Sequence, residues 1–371
     1  MSETGDQRLR VLVLTNHFKW FAGSEIVALH AAQGFAAFGD EVTLAANVIE
    51  APMREHAVGL HLTDNIADLD LTKFDLVWHQ HDMLSLLPIA AFEQASRESA
   101  AHIASVSLSP FEPYEHINGV LAQALSAEVW ANSPETADVI VEANRGYVHR
   151  SDICVFQNAA PESFWGPHAL AGSSQPLRSV LVVSNHLPEE LKACATLLEG
   201  QGVSVRRVGL GDEQVLLQPS DVARADAVVS IGKTVSYAIA AGKPVFIYDH
   251  FGGDGWLTRD NFEENRRFNF SGRPRMRRLD APALATEILD GYGRAVEESG
   301  ALSRTFDLSA FRLEQHLANL RKRAQSRDMR LRGLKLSFLL SQRSFRAHME
   351  TSRRKAEVMR SLRRQIDVTT G

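Results

Sequence analysis

An α/β chain of two doubly wound lobes is the architecture this sequence predicts, and three observations carry it. The unit strand, glycine-bearing turn, helix, strand occurs from Arg10 to Ala45 and starts again at Val180, running to Val208. Residues 166–176, rich in Gly, Ser, Ala and Pro, separate the two. In the stretch 226–258, the apolar runs Ala227–Ile231 and Val245–Tyr248 flank a segment that Gly232 opens and Gly242 and Pro244 close, so that a short helix lies between two strands. Ligands of such sheets bind beyond the carboxyl ends of the strands.

The 371 residues suit two domains, and a composition of 44% hydrophobic and 23% charged residues lets each bury a core. The polar, acidic start Met1–Asp6 argues against a secretory signal, and no apolar run is long enough to span a bilayer. Cys154 and Cys194 are the only cysteines, which suits a reducing compartment and supports neither a disulfide framework nor a cysteine-built metal site. The net charge of -5 is unevenly spread: from Arg312 to Gln365 there are 16 Lys and Arg against 4 Asp and Glu. An acidic body therefore carries a basic tail, whose partner is anionic.

In chain order, Arg10–Thr15 reads as a strand, Asn16–Phe21 as its loop, and Gly23–Phe38 as a helix that Ser24 can cap, with Ile26, Leu29, Ala32, Phe35 and Ala36 inward. Glu41–Ala45 is the next strand. Asp75–His79 is another, ending in Trp78-His79-Gln80-His81-Asp82. His79 and His81 point the same way on an extended chain, which leaves three readings open: a metal pair, a buried hydrogen-bonded histidine, or a substrate-contacting loop. His102–Leu108 and Ala127–Ala131 follow as strands, separated by the proline-fixed loop Ser109–Glu115 with its carboxylates Glu112 and Glu115. Ser133 and Pro134 start a helix to Ala143, and Ile153–Phe156 leads into Gln157–Trp165.

After the linker come the strand Val180–Ser184, the turn Asn185–Pro188, a helix over Glu189–Leu198, the strand Val203–Val208 and the loop Gly209–Asp212. Ile231-Gly232-Lys233-Thr234 is not an ATPase-type phosphate loop, since Ala227 stands where that motif needs glycine. The helix from Lys233 should pack Val235, Ala238 and Ile239 on the sheet and present its first amides, with Lys233 and Thr234, to an anion. Asp249-His250 and the glycine-rich Phe251–Trp256 read as a loop on the same crevice.

These residues resemble a GT-B glycosyltransferase of the retaining, glycogen-synthase-like (family 4 type) group. The signs are Gly23-Ser24-Glu25, His79–Asp82, Ala131-Asn132-Ser133, Gln157-Asn158-Ala159 and Ala240–Val245 followed by Gly252-Gly253, in that order over roughly residues 10–260. The resemblance implies two Rossmann-like lobes facing a central cleft: an acceptor domain at 1–165, a linker at 166–176, a donor domain at 177–305 and a basic helical tail at 306–371. It implies hexosyl transfer from a nucleoside-diphosphate sugar to a glycan or lipid-linked acceptor in surface polysaccharide assembly, with no permanently bound cofactor and no protein-bound metal. Lys233, His81 and His250 are then the catalytic candidates. Gly23, Ser24, Asn185, His186, Gly232, Thr234, Asp249, Gly252 and Gly253 are the donor-binding ones.

The chain departs from that group where paired glutamates are usual, at Val229 and Tyr237, and where Asn185 and His186 replace a basic pair. Ser107 or Ser109 stands where a histidine is common. A catalytically inactive sugar-nucleotide binder or scaffold, or an epimerase using Glu112 and Glu115, is therefore a second expectation. The tail mixes Leu and Phe with Arg over Arg330–Arg346, which suits an anionic membrane surface at the inner face of a cytoplasmic location, or equally a solvated or pairing helix. Nucleic acid is not expected, because aromatics are few and no recognition motif accompanies the charge.

Overall fold

The computed structural model describes residues 7–88, 91, 101–112, 115, 127–146, 148–166 and 176–326. Most of the expected linker and the tail beyond 326 fall outside these residues. The first sheet is parallel throughout and has seven strands: β1 (Arg10–Phe18), β2 (Glu41–Ile49), β3 (His61–Thr63), β4 (Leu76–Gln80), β5 (His102–Ser107), β6 (Glu128–Ala131) and β7 (Ile153–Val155). Their order is β3-β2-β1-β4-β5-β6-β7. Strands buried on both faces must be apolar throughout, which is why Val11–Leu14 and Leu76–Trp78 carry no alternation. The winding direction reverses between β1 and β4.

Helix α1 (Gly23–Ala37) covers this sheet and α2 (Met53–His56) follows β2. Ser24 does not cap α1: Ala22 occupies the cap position, and the Ser24 hydroxyl donates to Glu25 at 2.8 Å. Helix α3 (Pro134–Ala143) starts as expected, with Ser133 Oγ accepting from the Thr136 amide at 3.2 Å.

The second sheet comprises β8 (Ser179–Val183), β9 (Ser204–Val208), β10 (Ala227–Ser230), β11 (Val245–Asp249) and β12 (Gly252–Trp256), in the order β12-β11-β10-β8-β9. Its winding reverses between β8 and β10. Helices α4 (Glu189–Gly200), α5 (Pro219–Arg224), α6 (Lys233–Ala240), α7 (Phe262–Arg267) and α8 (Ala281–Thr305) surround it. The glycine-rich segment after Asp249, expected as a ligand loop, is instead strand β12, antiparallel to β11. Gly253 is required there because a Cβ would lie 1.9 Å from the Ile247 carbonyl oxygen.

Residues 313–326, which the sequence places in the basic tail, form helix α9 (Leu313–Ser326), and this helix returns to the first lobe. Leu313, Leu317 and Leu320 lie in the same core as Leu29 and Phe35 of α1. Arg321 pairs with buried Asp40 at 2.9 Å and Arg323 with Glu128 at 2.6 Å, so part of the expected surface charge neutralises first-lobe carboxylates. Among the described residues the chain thus crosses between lobes twice, and the crossings are stitched together: Ala160 N donates to Phe311 O at 2.8 Å and Leu313 N to Ala160 O at 3.0 Å.

Candidate functional site

The carboxyl ends of both sheets open on one cleft of about 820 Å³. From the first lobe it is walled by Trp20–Ser24 after β1 and by Leu108 and Asn132 after β5 and β6. From the second come Ser184–His186 after β8, Gly209 and Leu210 after β9, Ile231, Lys233 and Thr234 after β10, and Asp249 and His250 after β11. The switch points of both sheets contribute, which is where doubly wound folds hold ligands. Asn185 ties the walls: its side-chain amide donates to Phe21 O at 3.3 Å and its oxygen accepts from the Leu210 amide at 3.2 Å.

Of the expected donor-binding residues, Gly23, Ser24, Asn185, His186, Thr234 and Asp249 line the cleft, as do the catalytic candidates Lys233 and His250. Gly252 and Gly253 do not; they face Arg277 and β11. Gly232 adopts φ 61° at the start of α6, where its amide donates to Phe270 O at 3.1 Å. His81 stands apart from the cleft wall, at the end of β4. Its Nδ1 lies 3.4 Å from Thr15 Oγ1 and from the Asn16 amide, and its Nε2 lies 3.4 Å from Glu115.

Burial decides the charges at that His–Glu contact. An ion pair in water would raise the imidazole and lower the carboxyl, but desolvation pushes His81 down to about 4 and Glu115 up to about 7. The Glu115 carboxylate also accepts from the Leu108 and Ser109 amides, which opposes the rise without cancelling it. His79 is fully buried, its ring nitrogens meet no hydrogen-bond partner among the described residues, and desolvation pushes it down to about 3. Among the described residues there is no group of three or more His, Cys, Asp and Glu side chains arranged to hold a metal ion.

Lys233 is the least expected. Part of its surface reaches the cleft, yet its Nζ donates to Ala159 O at 3.0 Å and lies 3.5 Å from Asn158 O, both on the first crossing between lobes. It stands 5.3 Å over the Tyr237 ring, and desolvation pushes its ammonium down to about 7, only partly countered by Glu314. One turn further on, Ser236 Oγ donates to Gln157 O at 3.3 Å. Tyr237 reaches His30 of α1 at 3.4 Å and stacks on Phe164 at 4.1 Å. Helix α6 is therefore buried on more than the sheet-facing side that its apolar spacing predicted.

On the same lobe as α6, after the two strands that flank β10, Ser184 Oγ donates to Asp249 Oδ1 at 2.8 Å, the His250 amide donates to the same oxygen at 2.7 Å, and the His186 and His250 rings meet edge to face at 5.0 Å. Burial raises the Asp249 carboxyl. Sequence reasoning missed Val215–Leu217, an apolar shelf of the cleft, and the rim residues Trp20 and Leu210, 42% and 62% exposed. Nothing local marks Val215–Leu217 in the sequence, since three apolar residues before a glutamine and a proline read as an ordinary approach to a helix.

Two doubly wound sheets with their strand ends facing across a cleft constitute a GT-B architecture. No protein-family model and no curated protein matches the chain. Among solved structures, it is similar to a glycosyltransferase from Rickettsia africae (11% identity, TM-score 0.48, 86% of this chain and 99% of that one). Others are LpCGTa in complex with UDP (14%, 0.47, 85% and 99%) and MurG of Acinetobacter baumannii (10%, 0.46, 85% and 99%).

Proposed function

We propose that the protein is a glycosyltransferase that moves a sugar from a nucleoside-diphosphate sugar, held mainly by the second lobe, to an acceptor that enters along the first. One observation carries the reading: the starts of α1 and α6, at Gly23–Ser24 and Lys233–Thr234, open into the same cleft. Free amides at a helix start favour an anion by about 0.3–1 kcal/mol, and a charged hydrogen bond adds about 1.5–3. A diphosphate leaving group between them would gain charge as the glycosidic bond breaks, and donors already fixed in place stabilise that charge without reorganising. Thr234 and the α6 amides would take the diphosphate, with Asn185, His186, Asp249 and His250 around the nucleoside or sugar. The acceptor is a glycan or a lipid-linked acceptor, and configuration is retained. These last two points rest on the sequence resemblance.

Binding without turnover is the second reading. The Lys233 ammonium is engaged by main-chain carbonyls, and Val229 and Tyr237 stand where paired glutamates are usual. Epimerisation is disfavoured, because Glu112 is exposed and Glu115 is buried against His81 and backbone amides. Calorimetric titration with a panel of nucleotide sugars, followed by assays for donor hydrolysis and for the anomer formed, separates the cases. Turnover with release of the nucleoside diphosphate supports transfer; tight binding with neither hydrolysis nor transfer to any glycan supports the binder. An isomerised donor sugar would point to the epimerase.

A further inference from the structure

Helix α6 does two jobs in one place. Its first turn faces the cleft, while Lys233, Ser236 and Tyr237, at helical spacing i, i+3 and i+4, all reach across to the first crossing or the first lobe. The crossing they hold contains a tight turn in which Gln157 and Asn158 both adopt left-handed backbone, φ 51° each. Such a conformation is unfavourable for residues with a Cβ and persists where the surroundings fix it. Here the surroundings are the Lys233 ammonium on Asn158 O and Ala159 O, the Ser236 hydroxyl on Gln157 O, and the Asn158 side-chain amide on Asn269 at 3.4 Å. Any change in the angle between the lobes must pass through this turn or through the second crossing stitched to it at Ala160.

We propose that Lys233 is a latch with two alternative anchors: the carbonyls of Asn158 and Ala159, which hold the interlobe turn, and the diphosphate of a bound donor, which draws the ammonium away and loosens that turn. Donor binding is thereby coupled to the hinge by one side chain. The carbonyls offer partial charge only, whereas a diphosphate offers full charges to a cation whose burial otherwise disfavours it. Glu314 of α9 and the Tyr237 ring are the other groups that favour the ammonium at its present anchor, and His30 faces it from α1. The identity of the second anchor rests on the donor reading above; the first anchor does not.

Hydrogen exchange on the full chain, with and without saturating UDP, tests both halves. The reporters are the amides of Ala159, bonded to Phe156 O at 3.0 Å, and Ala160, bonded to Phe311 O at 2.8 Å. Without ligand, Lys233→Met should exchange there about tenfold faster than wild type, and Ser236→Ala, which leaves the cation in place, about threefold faster. In wild type, UDP should accelerate these amides while protecting the start of α6; in Lys233→Met it should not accelerate them further. Equal ligand-free rates in wild type and both variants would overturn the latch, as would UDP that slows Ala159 and Ala160. If neither UDP nor inorganic pyrophosphate protects the start of α6, the second anchor and the donor reading fall together, and the ligand-free rates alone report on the first.

Discussion

Lys233 makes a quantitative expectation available at pH 8. With its ammonium pushed down to about 7, roughly a tenth of the side chain is protonated there in the free protein. An opposite charge within a few ångströms raises a pKa by about 1–3 units, which places the bound state at about 8–10. Donor binding at pH 8 should then take up about 0.4–0.9 proton from solution. The nucleotide contributes little of this, because a terminal phosphate completes its ionisation near about pH 6. Titrating UDP in buffers of different ionisation enthalpy gives the number directly, as the slope of observed against buffer enthalpy. Lys233→Met supplies the reference: the slope should collapse and affinity should fall by about 1.5–3 kcal/mol. A wild-type slope near zero at unchanged affinity would mean that the ammonium never meets the ligand.

Four further outcomes follow from packing and charge. Leu317→Ala, in the fully buried contact between α9 and α1, should cost about 2–5 kcal/mol in chemical denaturation, and a smaller loss would mean that α9 is not part of the first-lobe core. Arg321→Met leaves buried Asp40 without its guanidinium and should cost about 3–5 kcal/mol, read by the same assay. Gly253→Ala should lower stability by at least about 2 kcal/mol, because main chain rather than a flexible side chain blocks the added methyl; an unchanged melting temperature would contradict the β11–β12 register. Glu115→Gln tests the pH dependence: the carboxyl is raised from 4.5 to about 7 in the folded state, so the native protein keeps a proton that the unfolded chain releases, and stability falls as pH rises through 4.5–7. The glutamine variant should lack that decline, a difference on the order of 3 kcal/mol by pH 7.5.

The legible part of this chain was its repetition. Apolar strands followed by glycine turns announce the winding of both sheets, and five of the first sheet's seven strands stand out in the sequence; His61–Thr63 and Ile153–Val155, three residues each, are too short to show a pattern. The residues ringing the cleft at the first turns were also legible, because backbone geometry confines ligands to strand ends. The direction of the Lys233 side chain was not. It depends on carbonyls at Asn158 and Ala159, some 75 positions earlier, and local spacing carries no record of so distant a partner. Composition misled at Gly252–Gly255, where the glycines form a strand against β11 rather than a loop on the cleft. It misled again at Leu313–Ser326, where Arg321 and Arg323 count toward a basic tail and in fact meet Asp40 and Glu128 of the first lobe.

Because Leu313, Leu317 and Leu320 complete the core begun by α1, the amino-terminal half cannot finish closing its hydrophobic interior until the ribosome has delivered residue 320. The middle of the chain, 177–311, is able to condense earlier, since its strands and covering helices are contiguous. Synthesis order and completion order are thus reversed for the two halves. A nascent chain stalled near residue 310 would expose the flank of α1 as a sticky surface, the point at which a chaperone or an early protease would find it.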